Sequence, residues 1–63
     1  MTDDELRDYA RRGRNLAAAV GPSHGQWDTI FDAEAILAGR PAMLDRATVE
    51  RLLREWLDPR ETK

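Results

Sequence analysis

The chain has 63 residues, with no cysteine, one histidine, four glycines and three prolines. Without cysteine there is no disulfide to staple a small fold and no thiolate for a structural zinc site. The lone histidine, His24, has no ligand cluster beside it, so neither metal-ligand spacing nor a catalytic arrangement emerges. His24 reads as a loop residue ahead of a helix, and Ser23 as a cap with no base to activate it. Long apolar runs are missing too. The longest, Leu16 to Val20, falls far short of the about 20 residues a membrane-spanning helix needs. The start, Met1-Thr2-Asp3-Asp4-Glu5, is acidic and lacks an apolar signal-peptide core. These absences point to a soluble, cytoplasmic, non-enzymatic domain with no metal and no cofactor. At this length it buries only about 60% of its unfolded surface, so its stability margin is narrow.

Charge of one sign is also scarce, with 12 acidic against 10 basic residues and a formal net charge of -2. The residues before Ser23 balance, as do those from Leu44 onward. The middle holds Asp28, Asp32 and Glu34 against Arg40 alone. Phosphate binding is driven mainly by Lys and Arg, so this middle segment suits a basic partner better than nucleic acid.

The positive signals are helical. Thr2 with Glu5 forms a capping box, and Leu6, Tyr9, Ala10, Gly13, Leu16, Ala17 and Val20 follow one helical face until Gly21-Pro22. Ser23 and Gln26 suggest a second box, opening a helix with Trp27, Ile30, Phe31, Leu37 and Ala38 on its apolar side. Gly39 and Pro41 stop it. Leu44 and Val49 read as a hydrophobic staple around Asp45, ahead of a third helix whose apolar face is Val49, Leu52, Leu53, Trp56 and Leu57. No segment alternates with the period of a strand. The expected fold is all-α, a small antiparallel three-helix bundle forming one domain, with helices at about 3–20, 24–38 and 46–57 and a frayed tail at 59–63. Gly13, between Ala10 and Ala17 on its face, leaves room for a large side chain, with Trp27 or Trp56 the candidate.

Several residues invite a functional reading. Glu34 falls near the centre of the apolar stripe expected for the second helix. There a carboxylate must be paired, protonated or open to water. An ion pair or hydrogen bond to another helix answers this, and a perturbed acid in a cleft is the alternative. Asp28, Asp32 and Ile36 recur every four residues and form an acidic ridge with an apolar end on the side away from that stripe. Arg7, Arg11 and Arg14 line the outside of the first helix, where they could hold an acidic partner. They are also spaced to pair locally, Asp3 or Asp4 with Arg7 and Asp8 with Arg12. On the third helix, Arg46–Glu50, Glu50–Arg54 and Arg51–Glu55 have the same spacing.

Arg46-Ala47-Thr48-Val49-Glu50-Arg51-Leu52-Leu53-Arg54-Glu55 resembles the recognition helix of small bacterial helix-turn-helix domains of the excisionase and MerR-like kind. Ala33-Glu34-Ala35-Ile36-Leu37-Ala38-Gly39 resembles the preceding helix, so the likeness covers residues 33–57. It implies a recognition helix in the major groove, with Arg46, Thr48 and Arg51 contacting bases or phosphates. Two functions are therefore carried forward. The first is a regulator- or inhibitor-like module that occludes a partner protein through Asp28, Asp32 and Ile36, and secondarily through Arg7, Arg11 and Arg14, with a homodimer possible. The alternative is a DNA-binding regulator.

Overall fold

The computed structural model describes residues 1–21 and 26–59. Three helices are present: α1 (Asp3–Val20), α2 (Gln26–Leu37) and α3 (Arg46–Leu57). They form an all-α three-helix bundle in which each helix touches the other two. Cross-helix contacts set the directions. Asp3 meets Arg46 while Gly13 lies against Trp56, so α1 and α3 run the same way. Arg14 meets Glu34, Val20 lies near Trp27, and Asp32 meets Leu44, so α2 runs against both.

The end signals act largely as local chemistry dictates. Thr2 Oγ1 accepts from the Glu5 amide at 3.2 Å and Glu5 Oε1 accepts from the Thr2 amide at 2.9 Å, completing the capping box. Gly39, with φ +74°, ends α2 in a Schellman motif: the Arg40 amide donates to Ala35 O at 2.8 Å and the Gly39 amide to Ile36 O at 3.1 Å. Asp45 occupies the N-cap of α3, but its carboxylate accepts from the Thr48 hydroxyl at 2.6 Å rather than from a backbone amide. The expected cap and helix start at Ser23 and His24, and the tail from Arg60 to Lys63, lie outside the described residues.

Leu6, Ala10, Ala33, Val49 and Leu53 form the core, with Met1, Tyr9, Ile36, Leu37, Leu44, Trp56 and Leu57 packed around it. Gly13 does admit a large side chain, and it is Trp56. A Cβ at Gly13 would lie 2.8 Å from the Trp56 ring and 3.4 Å from Ile30.

Helical spacing alone misplaces the buried face of α2. It centres the apolar stripe on Trp27, Ile30, Phe31 and Leu37. The fully or nearly buried residues are instead Thr29, Ile30 and Ala33, with Ile36 and Leu37 packed on the core and Phe31 52% exposed. At about 100° per residue this rotates the helix by roughly a quarter turn. The connection at 38–45 supplies the reason. It folds back along α2, where the Met43 and Leu44 amides both donate to the Asp32 carboxylate at 3.2 Å. Ile36, one turn on from Asp32, is on the side this places against the rest of the fold, and Trp27 and Phe31 are left on the other side.

Candidate functional site

α1 has 18 residues and α3 has 12. They start level, so the last six residues of α1, about 9 Å of helix, run on past the end of α3. Leu16 and Val20, expected in the core, lie on this overhang and are 41% and 62% exposed. Across from them, Trp27 and Phe31 sit one turn apart on α2, their rings tilted by 34° with centroids 5.7 Å apart. Trp56, from the last turn of α3, reaches over Gly13 and forms the third wall. The result is a groove at the open end of the bundle. One hollow, of about 150 Å³, is bounded by Leu16, Ala17, Val20, Gly21, Gln26, Trp27 and Trp56. A second, of about 470 Å³, is bounded by Gln26, Thr29, Leu52, Glu55 and Trp56. Gln26 and Trp56 belong to both.

Among the described residues two side-chain polar atoms are buried without a hydrogen-bond partner, Gln26 Oε1 and Trp27 Nε1, each with almost no accessible surface. A folded protein leaves few such groups, because each loses its hydration without replacement. One is an acceptor and the other a donor, on consecutive residues.

The charged residues singled out from the sequence are spent elsewhere. Ile36 is not an exposed ridge end but packs against the core, and Asp32 holds the connection. Of that ridge Asp28 alone is exposed, with no ion-pair partner among the described residues. Arg7 pairs with Asp4 at 3.1 Å, Arg11 with Asp8 at 2.9 Å and Arg14 with Glu34 at 3.4 Å. Glu34 is thus in a cross-helix ion pair at a half-exposed site, because the rotation of α2 carries it off the core. Arg12, spaced for Asp8, instead donates to Asp58 at 3.1 Å and lies over the Tyr9 ring at 4.9 Å. The Tyr9 hydroxyl also donates to Asp58. These two donors, Tyr9 first, hold the Asp58 carboxyl below its ordinary range.

The residues of the helix-turn-helix resemblance are engaged internally. Arg46 Nε donates to Glu50 at 2.9 Å, one terminal nitrogen to Asp3 at 2.8 Å and the other to Met1 O at 2.9 Å. Thr48 donates to Asp45, and Arg51 to Glu55 at 3.3 Å. The preceding helix ends at Leu37, so the connection before Arg46 is longer than a helix-turn-helix turn.

Among the described residues no group of three or more His, Cys, Asp or Glu side chains is placed to hold a metal, and no helix is long and apolar enough to cross a membrane. The chain matches no protein-family model, no curated protein and no solved structure.

Sequence reasoning misses the groove because it assigns Leu16, Val20, Trp27 and Phe31 to the core as apolar residues at helical spacing. One sequence signal does mark it. The expected first helix is six residues longer than the expected third, so its last turns have no third helix to lie against.

Proposed function

We propose that this chain is a small non-enzymatic interaction module, regulator- or inhibitor-like, that binds a segment of a partner protein in the groove at its open end. One observation carries the reading. Leu16 and Val20 stand exposed at a hollow walled by two tryptophans, and Phe31 stands exposed beside one of them, Trp27, whereas most of the charged side chains are already paired within the fold. Contiguous exposed apolar surface beside a concavity is characteristic of binding sites, and buried aromatic side chains dominate interface energies. Binding there would occlude the partner segment, and the exposed Asp28, next to Trp27 in the sequence, would favour a basic flank on it by electrostatic complementarity.

The test is capture from a nuclease-treated lysate of the source organism, using the wild-type chain, Val20→Asp and the double variant Arg46→Ala/Arg51→Ala. A stoichiometric protein retained by wild type and by the arginine variant but lost with Val20→Asp supports the proposal. Capture that vanishes on nuclease treatment, or that depends on Arg46 and Arg51, overturns it in favour of DNA binding.

A further inference from the structure

Trp56 lines both hollows of the groove, so whatever fixes its ring also fixes the groove's shape. The ring rests over Gly13, where a Cβ would come within 2.8 Å of it. Among the described residues the indole makes no hydrogen bond. Its position is therefore set by packing and by the backbone that carries it. That backbone is the last turn of α3, whose final carbonyls have no amide further along the helix to bind. Helix ends of this kind open at little cost unless something ties them.

Two residues beyond Trp56, Asp58 supplies a tie. Its carboxylate accepts from the Tyr9 hydroxyl and, at 3.1 Å, from the Arg12 guanidinium, which lies over the Tyr9 ring at 4.9 Å. Tyr9, Arg12 and Gly13 fall within one turn of α1. The same turn thus seats the tryptophan and holds the segment that carries it. The other ion pair on this part of α3, Arg51–Glu55, stays within the helix and ties it to nothing.

Resting on the interaction-module reading, we infer that Tyr9, Arg12 and Asp58 form a latch that holds Trp56 over Gly13, and that opening it lets the ring swing away and takes a wall out of both hollows. The latch lies at the surface, with the Arg12 and Asp58 side chains 42% and 25% exposed, so it opens without hollowing the core. Closed, the groove is divided into its two hollows. Open, it gains the bare backbone at Gly13 and the Ile30 side chain beside it. The latch thereby sets how bulky a partner segment the groove takes. The rival holder of this turn is packing, since Leu57, next to Trp56, lies against the core.

The experiment follows the two tryptophans of the free full-length chain by fluorine NMR after fluorotryptophan labelling, with Trp27→Phe assigning the resonances. Gly13→Ala pushes the ring off its seat while leaving the latch intact, and so marks the displaced position. Each donor bond lost from Asp58 is expected to raise the ratio of open to closed Trp56 roughly tenfold. Asp58→Ala, which loses both, should move the Trp56 resonance furthest toward the Gly13→Ala position. Tyr9→Phe and Arg12→Gln should move it less, Arg51→Ala should leave it in place, and the Trp27 resonance should stay put throughout. The latch is overturned if the Trp56 resonance keeps its wild-type position in Asp58→Ala well below the melting temperature, which would make the cluster a stabilising contact and Leu57 the holder. It is equally overturned if Trp27 moves as far as Trp56, which would mean a general loosening. Should Asp58→Ala fail to fold, Tyr9→Phe and Arg12→Gln decide by the same criteria. The readout needs no partner, so an unmoved Trp56 removes the latch alone, whereas the interaction reading stands or falls on capture by wild type and Val20→Asp.

Discussion

The two ends of the bundle solve opposite problems. At the closed end, where α1 and α3 begin and α2 finishes, Leu6, Val49 and Leu53 are completely buried. Arg46 clamps Asp3, Glu50 and Met1 O together, and the Met1 ammonium lies 3.5 Å from Glu50. At the open end two tryptophans wall the hollows with a phenylalanine beside Trp27, and among the described residues two polar atoms go unpaired and the overhanging α1 turns have no third helix beside them. Polar groups are satisfied at the closed end, and exposed apolar surface is left at the open one. In a chain this small the division matters, because the core can spare little.

The sharpest way to break the comparison is to hollow the closed end. Leu53→Ala is expected to cost about 2–5 kcal/mol, a large share of the whole stability of so small a domain. Thermal denaturation followed by circular dichroism should show the chain largely unfolded at 25 °C. A cooperative transition near wild type would mean that the core does not depend on this end.

Gly13→Ala probes the seam between the ends. Better helix propensity favours the change by about 1 kcal/mol, but the new methyl would sit 2.8 Å from the Trp56 ring, and overpacking typically costs about 1–3 kcal/mol. The two effects together predict a net loss of about 1 kcal/mol, with altered tryptophan fluorescence as Trp56 moves and the groove changes shape.

Acid acts on the closed end and on the junction of α3 with α1. The Glu5 carboxyl is held below its ordinary range first by the Thr2 backbone amide, Glu50 first by Arg46, and Asp58 first by Tyr9. Each is depressed in the fold, so its contribution is fully present above the unfolded carboxylate value of about 4 and is lost as pH falls through the lower folded value. Stability should therefore decline below about pH 4, and Tyr9→Phe should shift the midpoint of acid unfolding to higher pH. An unchanged midpoint would show that Asp58 owes nothing to the phenol.

Smaller again is the contrast between two arginines on α3. Arg46→Ala removes the links to Asp3, Glu50 and Met1 O and should lower the melting temperature. Arg51 holds only the exposed Glu55, and its loss should leave the temperature unchanged. The smallest stability effect belongs to Val20→Asp. At 62% exposure it should stay within about 0.5 kcal/mol of wild type, which makes it a clean probe of the open end.

Legibility in the sequence divides along the range of the interactions. Helix number, the Thr2–Glu5 capping box, the Gly39 stop, the Asp45 N-cap position and the space at Gly13 rest on residues within a few positions of each other, or on one residue's lack of a side chain. Those interactions are local, so the sequence by itself determined them and, with the spacing of apolar residues, the all-α bundle. The side of α2 that is buried depends on where the 38–45 connection lies, and that depends on the Met43 and Leu44 amides finding Asp32 across 11 and 12 residues. The same holds for Arg12, which leaves its nearby Asp8 for Asp58, 46 residues away. A helical wheel offers Trp27, Phe31, Leu16 and Val20 as core because it counts apolarity without knowing which neighbour is present to cover it. Only the tertiary structure, by rotating α2 and ending α3 short of α1, decided that Leu16, Val20 and Trp27 line a groove and that Phe31 stands exposed beside it.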